Sequence, residues 1–397
     1  MSIRHNLLAA CAAVALGEYA ASCAPTFAEA WPAFALLAFV VATFGFAFAV
    51  RGWPFLAIAC AAAALFFAAT LARERAFRDT PWMRDARPKR TSLAEGAGPR
   101  MRAVRRDFSR RAALGLSHDR ELVQLNRAIL LGERATLSPR LKRTFVESGT
   151  IHVFAISGLH VMAVARVLMF LFQLLLVPRR FTGLATIPVL WGYVALIGSP
   201  PSAVRAAAMA TLVFLAPLFY RRADGTVAWS LTFLAVYLGR PTMITNVGCA
   251  LSFAVMLAII VSCEVARDRP EGILKGLFVA GAAWAAGVPI AAHVFGRVTP
   301  GGLLANLALI PAAGVTVYAG TVGLLASFVS ESLAAHLNGL SGLFTRAMVV
   351  LSDVVSRLPG ANFEVIRWSI PLCAEWYAVL ALLLFLRFLV RRRRRVV

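Results

Sequence analysis

An all-α fold is expected of this chain: a polytopic transmembrane bundle of about 9–11 helices with a short basic extramembrane segment. Three observations carry the expectation. Hydrophobic residues make up 60% of the 397, and the mean hydropathy is +0.74, well beyond a globular domain in water. Several runs with little or no charge approach the ~20 residues a helix needs to cross the hydrocarbon. Those runs lack the alternation of a barrel strand, and lipid satisfies no backbone polar group, so helices are what remains.

Taken in order, Leu7 to Ala21 is read as a retained first helix rather than a cleaved signal, because Glu18 and Tyr19 sit awkwardly near a cleavage site. Trp31 to Val50 carries no charge at all, and Phe55 to Ala72 is a third apolar run. Further spans are expected at Ile151 to Val177, Phe181 to Ile197, Val204 to Phe219, Val247 to Cys263, Leu274 to Val294, Leu303 to Phe328 and Ala374 to Phe388. Val227 to Leu238 is too short to cross comfortably and reads as a re-entrant or broken segment, which the bilayer tolerates only inside protein or beside water.

Charge divides the chain. Lysine and arginine total 41 against 19 acids, a formal charge of +22. Such an excess favours anionic lipid and phosphate-rich partners, although arginines on cytoplasmic loops are ordinary in membrane proteins. The segment from Arg73 to Glu147 is polar and basic, and its Pro81, Pro88, Gly96, Gly98 and Pro99 make its start an irregular linker. From Met101 to Leu131, Val104, Phe108, Leu114, Leu122, Leu125, Ile129 and Leu130 fall near helical spacing. That pattern fits an amphipathic helix on the membrane surface, or a connector that packs on the bundle. Arg102, Arg105, Arg106, Arg110 and Arg111 are its candidate residues for binding a phosphate-rich partner. The boundaries expected are 1–72 for N-terminal spans, 73–127 for the linker and amphipathic helix, 128–388 for the membrane core and 389–397 for a basic tail.

The six cysteines are scattered without metal or redox spacing and read as small packing residues. No Walker loop, dinucleotide fingerprint or metalloprotease motif appears, so no cofactor or metal is expected and a motor would have to sit on another chain.

Two polar constellations interrupt the apolar runs. Ser157 and Gly158 break a helix between His152 and His160; small residues there let backbones approach closely or open a cavity. Both histidines are costly in lipid and should face the bundle interior, pair, or line water. A serine hydrolase would need an orienting acid that these helices do not offer, so the chain is not expected to be an enzyme; the bland alternative is helix packing. After Pro200 and Pro201, Ser202 can cap a helix that carries Arg205 in its first turn. An arginine at a helix N-terminus suits phosphate, or else snorkels to the headgroups.

The run AILLGERATLSPRLKRTFVESGTIHVFAISGLHVMAV, from Ala128 to Val164, resembles the core of the ComEC-type competence proteins. Leu130 to Arg134 is similar to that family's Leu-x-Gly-x-Arg element, and His152 to Val161 to its His-x-x-Ala-Ile-Ser-Gly-Leu-His-Val run. GSPPSAVRAAAMA from Gly198, the Gly248 to Phe253 element and Asn306 to Pro311 resemble its later elements in order, over roughly Ala128 to Phe388. Cys249 and Ala250 depart from the usual residues there.

The resemblance implies a multi-pass protein of the bacterial inner membrane that passes single-stranded transforming DNA, in contact with lipid and served by separate motor and DNA-delivery proteins. It makes His152, Ser157, Gly158, His160, Arg205 and Asn306 the candidates for the transport path. A transporter or scaffold for another anionic substrate is the alternative. Family members carry an extracellular oligonucleotide-binding barrel and a metallo-β-lactamase-like domain; neither is expected within these residues. The resemblance places Arg73 to Arg143 outside the cell. The positive-inside rule would place it inside, but loses force for loops beyond about 60 residues, and it puts Arg391 to Arg395 in the cytoplasm.

Overall fold

Apolar side chains spaced around long helices, with prolines and glycines at their ends, set most of the elements. The computed structural model describes residues 99–383 other than 134–136, 155, 221, 240–245, 268–269, 370, 374 and 381. The three expected N-terminal spans, the start of the basic linker, Arg134, Ala155 and the arginine tail lie outside the described residues.

Eleven α-helices follow one another among the described residues. They are α1 (Pro99–Arg111), α2 (Arg120–Leu131), α3 (Pro139–Glu147), α4 (Gly158–Leu174), α5 (Arg179–Leu196), α6 (Pro201–Leu215) and α7 (Gly225–Gly239), then α8 (Val247–Val265), α9 (Ile273–Phe295), α10 (Gly301–Ala326) and α11 (Glu331–Ser356). A two-residue antiparallel pair, β1 (Arg297–Val298) with β2 (Phe363–Glu364), is the sheet described. Five helical stretches are long and apolar enough to cross a membrane: Pro201–Phe219, Val247–Val265, Ile273–Phe295, Gly301–Ala326 and Glu331–Ser356. The architecture is a polytopic all-α bundle.

The helices gather into two compact units. One joins the described residues up to Phe108 to Ser157–Phe253; the other joins Ser109–Ile156 to those from Ala254 onward. In the first, α4, α5 and α6 pack on one another and α7 packs on α6. Gly183 makes the α5–α6 approach possible, since a Cβ there would lie 2.9 Å from Phe214 Cβ.

The second unit is built on the α10–α11 hairpin. Gly323 faces Asn338, whose Oδ1 would lie 2.7 Å from an added Cβ, and Gly320 faces Leu130 of α2. Polar groups bond around this contact. Asn126 Nδ2 donates to the Ala112 carbonyl at 2.8 Å, and Ser341 Oγ lies 2.7 Å from Asn126 Oδ1 and 3.1 Å from the Thr316 carbonyl. Asn338 Nδ2 donates to the carbonyls of Arg111 and Leu114. Thr150 Oγ1 sits 2.6 Å from Ser148 Oγ and 3.1 Å from Ser352 Oγ, all three fully buried. In the same unit Pro289 lies inside α9 and lacks the N–H that would bond the carbonyl four residues earlier. That carbonyl, of Ala285, accepts from Trp376 Nε1 at 3.0 Å, and Ala286 O accepts from Tyr377 at 2.8 Å.

Two expectations are corrected. The helical spacing from Met101 to Leu131 is not one helix: α1 ends at Arg111 and α2 begins at Arg120. Gly115 breaks it, with φ at +78° and a Cβ position only 2.7 Å from the Ala335 carbonyl, a site where other residues are strained. Leu122, Leu125, Ala128, Ile129, Leu130 and Leu131 are buried, so α2 packs into its unit, in line with the connector alternative rather than the surface-lying helix. The second correction is α11, a 26-residue membrane-capable helix absent from the spans expected.

Asp119 caps α2, accepting from the N–H groups of Glu121 and Leu122, and pairs with Arg346 at 2.6 Å. The Arg346 hydrogen bond holds its carboxyl below the ordinary range. Asp119→Asn keeps the cap and loses the ion pair, for an expected loss of about 0.2–1 kcal/mol near neutral pH. Because the native value is the lower one, this stability is present above the unfolded carboxylate pKa and fades as pH falls through the native value. Thermal unfolding of both proteins between neutral pH and pH 3 checks it; a pH-independent difference would assign the effect to the cap.

Candidate functional site

The motif around His160 is organised by how α4 starts. Residues Ile151–Phe154 make one 3₁₀ turn, and Ser157 is the N-cap, in extended backbone with φ −110° and ψ 177°. Ser157 and His160 form a capping box, in which histidine takes the place usually held by Glu or Gln. The Ser157 N–H donates to His160 Nδ1 at 3.2 Å, and Ser157 Oγ lies 3.1 Å from the same nitrogen. A nitrogen that accepts a backbone N–H carries no proton, so the imidazole is neutral with its hydrogen on Nε2. His160 is 1% exposed.

His160→Gln is expected to be mild and His160→Leu severe. Gln restores the usual capping box, whereas Leu strands the Ser157 N–H at about 1–3 kcal/mol. Unfolding midpoints of the purified variants check this, and equal midpoints would remove the capping role.

Arg205 is placed differently from the expectation. Pro200 is the N-cap and Pro201 the first residue of α6, so Ser202 is already helical and Arg205 lies one turn further in. It is 5% exposed and does not snorkel. Instead its guanidinium reaches the start of another helix: a Cβ on Gly158 would lie 3.8 Å from Arg205 Nη2 and 3.8 Å from Ala206 Cβ. These are ordinary contact distances, so a Cβ there would just fit and Gly158 is not required by tight backbone packing. The guanidinium carbon stands 5.4 Å from the centroid of Phe253, which meets Trp229 and Phe233 edge-on. Trp229 Nε1 donates to the Phe253 carbonyl at 3.1 Å and fixes that wall. Arg205 Nε and Nη1 are buried without a hydrogen-bond partner, and among the described residues no carboxylate pairs with this cation.

Ser157, Gly158, His160 and Arg205 thus come together in one unit. His152 and Asn306 belong to the other. His152 is exposed, with Nδ1 3.1 Å from the Gly149 carbonyl. Asn306, in α10, is half-buried and its Oδ1 is buried without a hydrogen-bond partner.

Of the basic cluster, Arg102, Arg106 and Arg110 are exposed and Arg105 is half-buried. Arg111 is engaged: Nη1 donates to the Ser327 carbonyl at 2.9 Å and the guanidinium lies 4.2 Å from the centroid of Phe328. The aromatic wall of Trp229, Phe233 and Phe253 was not singled out from sequence; the apolar α7 run around Trp229 was its available signal. Among the described residues no group of three or more His, Cys, Asp or Glu is placed to hold a metal ion.

The profile of a family described as Competence protein matches residues 129–390. ComE operon protein 3 of Bacillus subtilis (strain 168) is 26% identical over 184 residues, 46% of this chain and 24% of that protein. A protein of Aquifex aeolicus (strain VF5), called "Uncharacterized protein", is 29% identical over 238 residues, 59% of this chain and 55% of its own length. The chain therefore spans less than two thirds of either relative. No solved structure matches it significantly.

Proposed function

This chain belongs to the Competence protein family, and from that premise we propose that it is a bacterial inner-membrane channel for uptake of single-stranded transforming DNA. The observation that carries the reading is Arg205, a buried cation with hydrogen-bonding capacity to spare, inside a bundle with five membrane-capable helices. A path for a polyanion through lipid needs fixed positive groups that desolvate the backbone without reading its bases. Within the first unit Ser157, Gly158, His160 and Arg205 contact the strand, and the exposed arginines of α1 bind its phosphates. The protein does no chemistry on DNA and takes its driving force from a separate motor, with other proteins delivering the strand.

Transformation frequency in a deletion strain and its complemented control tests this. Loss on deletion with recovery on complementation is expected; unchanged frequency would turn the assignment to a transporter or scaffold for another anionic substrate, which the same buried cation also suits.

The topology that goes with this reading puts Arg73 to Arg143 outside the cell and Arg391 to Arg395 in the cytoplasm. In a cysteine-free background, a single cysteine at Ser92 is expected to react with an impermeant thiol reagent on intact cells, and one at Val396 to stay protected. The reverse pattern inverts the topology.

A further inference from the structure

The approach of Arg205 to Gly158 sets two positive elements face to face. The first N–H groups of a helix have no carbonyl of their own helix to bond, and the macrodipole adds about half a positive charge there. The Ser157 N–H is taken by His160 and the His160 N–H by the capping box, which leaves Gly158 and Leu159 to supply the donors of that turn. Toward this end comes the guanidinium of Arg205, 5% exposed, with Nε and Nη1 unbonded and Nη2 3.8 Å from the place of a Gly158 Cβ. Buried polar groups are nearly always satisfied, and a desolvated cation beside a positive helix end is unfavourable on both counts. An anion between them resolves both.

We propose that the first turn of α4 at Gly158 and the Arg205 guanidinium form a binding site for a single phosphodiester or phosphate oxyanion. Gly158 fits the role because a Cβ there would stand in contact with Arg205 Nη2 at 3.8 Å, so the gap that glycine leaves lies directly against the fork. Gly183, by contrast, is held to glycine by Phe214 at 2.9 Å. Phe253 flanks the guanidinium and positions its fork. Arginine's planar fork matches two oxygens of a phosphoryl group, and the helix N–H groups take a third. Histidine in the capping box holds the turn without adding another charge. The inference deepens the conduit reading, and it rests on that reading for the identity of the phosphodiester as DNA. A phospholipid headgroup presents the same chemistry.

The full chain is purified in a maltoside detergent free of phosphate, and its thermal unfolding followed as inorganic phosphate replaces chloride at constant ionic strength. The parent is expected to gain stability saturably with phosphate. Gly158→Ala, which meets no steric obstacle, and Arg205→Lys, which keeps the charge but not the fork, are expected to weaken the apparent affinity about tenfold or more. No gain in the parent, or the same gain in all three proteins as a general salt effect gives, overturns the site. Two further arms identify the source. Competition by a deoxythymidine decamer, but not by its uncharged methylphosphonate analogue, assigns the oxyanion to DNA. Phosphatidylglycerol retained by the parent and lost from Gly158→Ala in native mass spectra, without competition by the decamer, assigns it to lipid. In that case the site stands and the conduit reading of Arg205 falls.

Discussion

Arg205→Met is expected to give a protein at least as resistant to heat as the parent that no longer passes transforming DNA efficiently. The two halves of this expectation have separate causes. Arg205 is buried, and among the described residues no carboxylate offsets it. A buried charge without compensation costs several kcal/mol, and exchanging buried ionic groups for apolar ones of similar size is often neutral or stabilising. Methionine fills the volume and rests against Phe253 without that cost. Uptake behaves oppositely. A hydrogen bond to a charged group contributes about 1.5–3 kcal/mol, so losing one phosphate contact is expected to slow passage about 10- to 150-fold. Arg205→Lys should fall between, keeping charge and losing the fork. Transformation frequency, membrane abundance and unfolding midpoint are measured together. A variant at normal abundance with parental uptake removes Arg205 from the path; one that is simply unstable makes it a packing residue.

The second large effect concerns salt. Binding of single-stranded DNA by the purified protein should show no sequence preference and weaken linearly in log–log form as salt rises, by about 0.7 per phosphate neutralised. Replacing Arg102, Arg105, Arg106 and Arg110 together with glutamine is expected to make that slope shallower by up to about 2.8, four such increments. Arg111 is kept out of the set. Its guanidinium is committed to Ser327 and Phe328, so Arg111→Gln should lower stability and leave the slope nearly unchanged. Fluorescence anisotropy with labelled oligodeoxythymidine across a salt series decides it. An unaltered slope in the fourfold variant would make α1 a topogenic or lipid-facing element.

What sequence could and could not supply follows from where each signal comes from. Val247 to Cys263, Leu274 to Val294 and Leu303 to Phe328 were expected as spans and stand close to α8, α9 and α10, because helices facing lipid are apolar on most of their surface. α11 was missed because polar residues are spread along its length. Asn338, Ser341, Thr345 and Ser352 are buried, Arg346 and Asp353 carry charge, and its hydropathy is 1.3 against 1.7 for α10. An average over residues cannot separate a polar face turned inward from one turned to water. The break at Gly115 was equally hidden, since what demands glycine there is the Ala335 carbonyl, 220 residues along the chain. At the candidate site, the residue types Ser157, Gly158, His160 and Arg205 were legible. That the Arg205 guanidinium approaches the start of α4 depends on tertiary packing, which no local spacing encodes.

The polar contact between α10 and α11 also bears on how the chain is made. A nascent segment leaves the translocation machinery for lipid when partitioning favours it, and α11 alone would carry Asn338 and Ser341 into hydrocarbon unbonded. Beside α10 and α2 those groups enter already matched to Thr316, Asn126 and the Arg111 and Leu114 carbonyls. The smallest unit that satisfies these groups is therefore the hairpin together with residues 111–126, so α11 is expected to settle in lipid only after it meets α10 and α2.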